Sequence, residues 1–151
     1  MKDLQFLNLA HCIRNFSKDP STKVGAIIVD EDNRVVSMGY NGFPKGVNDD
    51  HRLEDRDTKL KIIVHAEANA ILFASKSLKN CTIYTMPFMP CSNCASLIIQ
   101  SGIKRVVSIE NDDKKWADSF LLARNLFEEA NVELSLISID QWISSAILHK
   151  Q

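Results

Sequence analysis

Apolar positions along the chain change period several times, and each change predicts an element. Across residues 4–16, Leu4, Leu7, Ala10, His11 and Arg14 recur at helical spacing with Phe6, Leu9 and Ile13 beside them, so the segment predicts a helix. Val24–Asp30 is almost continuously apolar and predicts a buried strand. Glu31-Asp32-Asn33 supplies a turn, and Arg34–Tyr40 returns as the second strand of an antiparallel hairpin. Residues 41–63 open with Gly42, Pro44 and Gly46 and then become densely charged, which predicts a long loop. A loop of that length inside a compact domain usually serves function.

Helix and strand then alternate. Ala66–Ser77 predicts a helix and Cys81–Met86 a strand. Cys91–Ser101 is helical, closed by Gly102, and Lys104–Ile109 is a strand. Lys115–Ala130, Val132–Ile137 and Asp140–Leu148 follow as helix, strand and terminal helix. Five strands interleaved with helices predict an α/β fold, a three-layer α/β/α sandwich on a five-stranded mixed sheet. The crossovers after the hairpin favour parallel pairing. Without repeats, low-complexity tracts or linkers, residues 1–151 read as a single domain.

Composition narrows the function classes. A hydrophobic fraction of 45% and a charged fraction of 25% suit a globular protein. The net charge of -1 gives no basic excess for broad adhesion to nucleic acid. No apolar run is long enough to span a bilayer, so no membrane role is expected. The N-terminus lacks the pattern of a secretion signal, and the expected location is the cytoplasm. In that reducing setting, a close cysteine pair is more often a metal or catalytic site than a disulfide.

Such a pair is Cys91-Ser92-Asn93-Cys94, which follows Pro90 and opens an apolar helical run. Cysteines three apart share a helical face, and a helix start favours the thiolate that binds metal. The pair alone also fits a redox dithiol or half of a structural zinc site. His65 is the natural third ligand, because it opens a helix and Glu67 follows it. Two Cys and one His leave a tetrahedral position for water, the arrangement of a catalytic zinc site. Residues two apart do not share a face of a regular helix, so His65 must stand at the helix entrance for both side chains to reach one site. H-x-E followed by P-C-x-x-C resembles the signature of zinc-dependent nucleobase deaminases. In that chemistry zinc lowers the pKa of water to about 7, and the glutamate, not itself a ligand, relays protons to the base.

The segments SKDPSTKVGAIIVD, GYNGFPKGVNDD, HAEANAI and MPFMPCSNCASLIIQSGIKRVV resemble the deoxycytidylate deaminase family. The similarity runs from about Phe16 to Val107 and continues more weakly through ARNLFEEANVEL. The resemblance implies hydrolysis of dCMP to dUMP and ammonia, a step toward thymidylate. It places the zinc ligands on His65, Cys91 and Cys94 and the proton shuttle on Glu67, with Ala66 between them in the substrate site. Asn41 matches an asparagine that contacts a sugar hydroxyl in related enzymes, although a turn role fits it as well. The resemblance further implies a homohexamer, activation by dCTP with Mg2+ and inhibition by dTTP. The effector segment would hold Gly39, Tyr40, Gly42, Pro44, Gly46 and Asn48, with the glycines admitting phosphate near the backbone.

One departure concerns the substrate phosphate. Relatives often carry a tyrosine after the strand ending near Ile109, but here the stretch reads Glu110-Asn111-Asp112-Asp113-Lys114-Lys115-Trp116. Lys114, Lys115, Ser21, Lys23, Arg52 and Arg56 are the remaining candidates for the phosphate. A second zinc at His51 is conceivable, but no cysteine accompanies it. Cys12 and Cys81 are expected to be small buried residues, and Trp116, Phe120 and Phe127 to serve the core or a subunit interface. His11 and His149 carry no signal. Two alternatives stay open: deamination of adenosine in tRNA, which calls for a basic surface, and a non-catalytic zinc or nucleotide-binding module, for which Glu67 would have no use.

Overall fold

The computed structural model describes residues 2–148. Strands β1 (Gly25–Val29), β2 (Val35–Tyr40), β3 (Thr82–Met86), β4 (Arg105–Ile109) and β5 (Glu133–Ile137) form one sheet in the order β2-β1-β3-β4-β5. β1 is antiparallel to both neighbours, while β3, β4 and β5 pair in parallel, so the sheet is mixed. The reversal at β1 comes from the tight turn into β2. There the Asp30 carboxylate accepts the N–H groups of Asp32 and Arg34, and Asn33 takes a left-handed φ of 62°. Later strands return through helices and therefore all run one way.

The helices are α1 (Lys2–Arg14), α2 (Arg56–Ile62), α3 (Ala66–Leu72), α4 (Ser92–Ser101), α5 (Ala117–Glu129) and α6 (Ile139–Leu148). Strand alternation splits the core in two. Ile27 and Val29 meet Leu7 and Ala10 of α1, together with Tyr84, Met86 and Val107. Ile28 faces the opposite layer, where Ala66 and Ala70 of α3, Ile98 of α4 and Phe127 of α5 gather with Ile83 and Val106. α6 lies beside α1, with Trp142 edge-on to His11 and ring centroids 4.9 Å apart. The three-layer α/β/α architecture expected from the element pattern is present. Among the described residues, no helix is long and apolar enough to cross a membrane.

Several expectations need correction. The 41–63 segment is not simply a loop: it contains a 3-10 turn, His51–Leu53, and helix α2. Asp55 caps α2 by accepting from the Thr58 N–H and hydroxyl, while the buried side chain that anchors the helix is Lys59. No apolar periodicity announces a helix held in that way. α3 stops at Leu72 rather than Ser77. α1 runs Lys2–Arg14, about two residues before the expected span. Cys81 is buried but Cys12 is exposed, because it lies on the outer side of α1. His149 lies outside the described residues.

β2, β3, β4 and β5 all point their carboxyl ends to one edge, where antiparallel β1 has its amino end. Asn41, the Pro87–Cys91 turn, the 110–116 connection and the segment before Val24 therefore converge there. Such an edge is where α/β sheets commonly bind ligands.

Candidate active site

His65 is the N-cap of α3, with an extended backbone at φ −69° and ψ 155° and no side-chain capping bond. Cys91 holds the same place in α4, at φ −70° and ψ 171°, again without a capping bond. N-cap positions usually carry Ser, Thr, Asp or Asn, whose side chains turn back onto the helix. Here two residues unsuited to capping stand at the two helix entrances and turn toward each other. Cys94 joins them from the first turn of α4. Since His65 is not part of the helix proper, it and Glu67 need not diverge as residues two apart inside a helix would.

His65 Nδ1 lies 3.5 Å from Cys91 Sγ and 3.3 Å from Cys94 Sγ. The three ligand atoms are mutually within 4.8 Å, and no other such group of potential ligands occurs among the described residues. Zinc–sulfur bonds of about 2.3 Å and a zinc–nitrogen bond of about 2.0 Å at tetrahedral angles place nitrogen and sulfur about 3.5 Å apart. Donor set and spacing therefore fit zinc. At His51, where the sequence argued against a second metal for want of a cysteine, no ligand set occurs among the described residues; that imidazole approaches Asp50 at 3.9 Å.

Electrostatics at the trio follow from proximity. A hydrogen bond from Cys94 and the nearby His65 hold the Cys91 thiol down to about 4, while the same bond and burial push Cys94 up. Metal uptake needs both sulfurs as thiolates and a neutral imidazole, and so releases protons. His65 is raised, chiefly by its contact with Cys91. Glu67 is only 4% exposed, and burial pushes its carboxyl above the usual range. Its carboxylate stands outside the mutually close set of ligand atoms.

His65, Glu67 and Cys91 line a pocket, with Cys94 behind them. Val24, Ile63, Ala66, Phe88, Met89, Trp116 and Phe120 give it apolar walls, and Ser21, Thr22 and Asn41 add polar atoms. Trp116 and Phe120 were expected in the core or an interface. Phe120 belongs to the core and Trp116 packs against it, and both also line the pocket, where with Phe88 they form an aromatic cluster at centroid spacings of 5.6 and 6.4 Å.

Two cations, Arg56 and Lys115, reach the same pocket, and neither is in an ion pair among the described residues. Of the other phosphate candidates, Ser21 lines the pocket whereas Lys23, Lys114 and Arg52 do not. The Arg52 guanidinium is occupied by Asp50 at 2.8 Å.

Asn41 is 6% exposed and its amide is heavily engaged. Oδ1 accepts from Val24 N–H at 2.9 Å, and Nδ2 donates to Thr22 O at 2.9 Å and Asp19 Oδ2 at 3.4 Å. None of Gly39, Tyr40, Gly42, Pro44, Gly46 and Asn48 lines the pocket. Gly39 packs against the backbone of α3, exposed Tyr40 stacks on Phe16 at 5.8 Å, and Gly46 takes a φ of 81°. Asp19 and Lys59 are pocket residues that sequence reasoning missed. Asp19-Pro20-Ser21-Thr22 does carry an aspartate-turn signature, but nothing local marks Lys59.

Residues 1–110 match the family described as the cytidine and deoxycytidylate deaminase zinc-binding region. An uncharacterized deaminase of Aliivibrio fischeri is 40% identical over 139 residues, covering 90% of this chain and 93% of that protein. The deoxycytidylate deaminase of Homo sapiens is 42% identical over 134 residues, covering 84% of this chain and 74% of that one. The crystal structure of the dCMP deaminase from cyanophage S-TIM5, in complex with dCMP and dUMP, superposes with a TM-score of 0.73 at 26% identity, covering 88% and 94% of the two chains. The chain belongs to the cytidine and deoxycytidylate deaminase family.

Proposed function

We propose that this family member hydrolyses dCMP to dUMP and ammonia, a step toward thymidylate, with His65, Cys91 and Cys94 holding one zinc ion and Glu67 moving the protons. The observation that carries this reading is a buried Glu67 outside the ligand set of the His-Cys-Cys trio, in a pocket that Arg56 and Lys115 enter without ion-pair partners among the described residues. Zinc in such a site supplies Lewis acidity that brings the pKa of water to about 7.

Glu67 accepts a proton from the attacking water and delivers it to N3 of the cytosine ring, which makes C4 electrophilic. The same carboxylate then takes the proton of the hydroxyl added at C4 and passes it to the amino group, so that C4=O forms as the C4–N bond breaks; one water enters and one ammonia leaves. The apolar wall of Phe88, Trp116 and Phe120 packs the base and excludes bulk water. Arg56 and Lys115 meet the 5′-phosphate. Ser21 and Asn41, which line the pocket, take the sugar in this reading.

The finer reading extends to regulation and assembly. dCTP with Mg2+ activates and dTTP inhibits from the 39–48 segment. That segment meets the site through a backbone bridge, Gly42 N–H to Val64 O at 3.1 Å and Val64 N–H to Gly42 O at 2.8 Å, next to His65. Exposed Leu72, Phe73, Leu121 and Leu122 support assembly into a homohexamer. Reduced, metal-ready thiols suit the cytoplasm.

Ammonia release from dCMP, dCTP, deoxycytidine, cytidine and an adenosine-containing tRNA hairpin tests the assignment. The expected result is a kcat/KM for dCMP about 30-fold or more above that for deoxycytidine, the value of a charge-assisted phosphate contact. Preference for the hairpin or for an uncharged nucleoside overturns it.

A further inference from the structure

We infer that the buried Asp19–Lys59 ion pair is a positioning latch that fixes α2, and with it Arg56, over the pocket. Lys59 and Asp19 are each 5% exposed, and Lys59 Nζ lies 3.0 Å from Asp19 Oδ1 and 3.3 Å from Ser21 Oγ. Asp19 Oδ1 also accepts the Ser21 N–H at 2.8 Å and the Thr22 N–H at 3.3 Å, while Asn41 Nδ2 approaches Oδ2 at 3.4 Å. Ser17 Oγ closes the network by donating to the Asn41 carbonyl at 2.9 Å. One polar network therefore unites the segment before β1, the residue after β2 and helix α2.

What makes Lys59 unusual is what else α2 lacks. The helix has seven residues, too few to be stable alone, and Lys59 is its buried residue. Leu60, by contrast, is exposed at the pocket rim. Burying an ion pair is a poor way to gain stability, because desolvation offsets most of the attraction, but it fixes register well. Arg56 precedes Lys59 by three residues and shares its helical face. Where Lys59 is pinned, Arg56 is aimed. Lys59 itself is neutralised by Asp19, which leaves Arg56 as the cation by which α2 faces the pocket, since Lys61 does not line it. Lys59 thus acts on the substrate through Arg56 and the Ser21–Thr22 wall.

Two measurements test the latch, and only the second rests on the dCMP reading. The first is backbone amide exchange without nucleotide. Lys59→Met should speed exchange across residues 57–63 by about tenfold or more while the α3, α4 and α5 amides keep their rates, the pattern of local opening. Unchanged exchange in α2 overturns the latch.

The second is a double-mutant cycle on the KM for dCMP with Lys59→Met and Arg56→Ala. Lys59→Met should raise KM about tenfold with kcat within about threefold, and adding Arg56→Ala should then raise KM by less than about threefold. Additive effects, or no effect of Arg56→Ala alone, overturn action through Arg56. Lys59→Arg should restore both readouts. If Lys59→Met cannot fold around an unpaired Asp19, the neutral pair Asp19→Asn/Lys59→Met carries both measurements. Should the wild-type chain not turn over dCMP, the exchange result still decides the latch.

Discussion

Gly39 of β2 lies flat against Ala66 at the start of α3: a methyl group on its Cα would stand 2.5 Å from the Ala66 carbonyl oxygen and 2.6 Å from the Ala70 nitrogen. Both contacts are backbone atoms and cannot swing aside. Ala66 separates His65 from Glu67, so this contact sets how deep those two side chains sit. Gly39→Ala should cost about 1–3 kcal/mol of stability, as overpacking does. It should also weaken zinc retention, because α3 must shift. Denaturant unfolding and metal analysis read the two effects, and a variant as stable and as zinc-replete as wild type would contradict this account of Gly39.

Glu67→Gln preserves shape and removes the ability to carry a proton. Zinc content should stay at the wild-type level while kcat on dCMP falls by about 100-fold or more, the value of a lost general acid–base. Metal analysis beside ammonia release checks both halves. Loss of zinc in this variant would make Glu67 a ligand and sink the proposed division of labour.

Removing a donor from the trio should act differently. Cys91→Ala leaves a nitrogen and one sulfur, too few for a retained zinc site, so zinc and turnover should disappear together. In the wild-type chain a strong chelator should abolish turnover and added zinc restore it. Stoichiometric zinc in Cys91→Ala would falsify the ligand assignment.

Arg56→Ala and Lys115→Ala should each raise the KM for dCMP by about 10-fold while leaving zinc content unchanged, since a charge-assisted contact to phosphate is worth about 1.5–3 kcal/mol. Raising the salt concentration should narrow the gap from wild type, because both side chains are exposed. Equal KM values in the variants and wild type would move the phosphate elsewhere.

Away from the site, Asp3 ties α1 to the sheet. Its carboxylate accepts from Arg105 at 2.9 and 2.7 Å and from the Tyr84 hydroxyl at 2.7 Å. The Arg105 hydrogen bonds, more than any other effect, hold the Asp3 carboxyl below its usual range. A carboxyl depressed in the folded state contributes stability that is present above its unfolded value and is lost as pH falls through its folded value. Asp3→Asn should therefore lower stability by about 1–2 kcal/mol near neutrality, partial exposure keeping the figure small. The difference should close in acid below the ordinary carboxylate range. A gap that widens on acidification would show that Asp3 stabilises by another route.

Much of this protein is legible in the order of its residues. The alternation of apolar runs and helical faces gives five strands and the helices between them, because those periods record burial directly. His65, Glu67, Cys91 and Cys94 are legible too, since few other chemistries need those residue types in that order at helix starts. The weak places share a cause. Helix α2 escapes because its anchor is Lys59, a residue type that patterning assigns to solvent. Trp116 and Phe120 do belong to the core, but their second role as pocket wall escapes, because an aromatic at helical spacing looks the same whether it faces a neighbouring helix or a pocket. Lys115 and Lys114 cannot be told apart along the chain, yet Lys115 enters the pocket and Lys114 does not.

What the sequence by itself determined is the set of local structures and the chemical inventory, because hydrophobic period, turn residues and ligand types act over a few positions. Tertiary structure alone decided which of them meet. It brought two uncapped helix entrances to one edge of the sheet, turned Asn41 and Asp19 into a brace, and selected Arg56 and Lys115 from the surplus of surface cations. Those choices depend on contacts between residues far apart in the chain, such as Asp19 with Lys59 and His65 with Cys94. No local period encodes such a pairing, since it is fixed by how the layers pack.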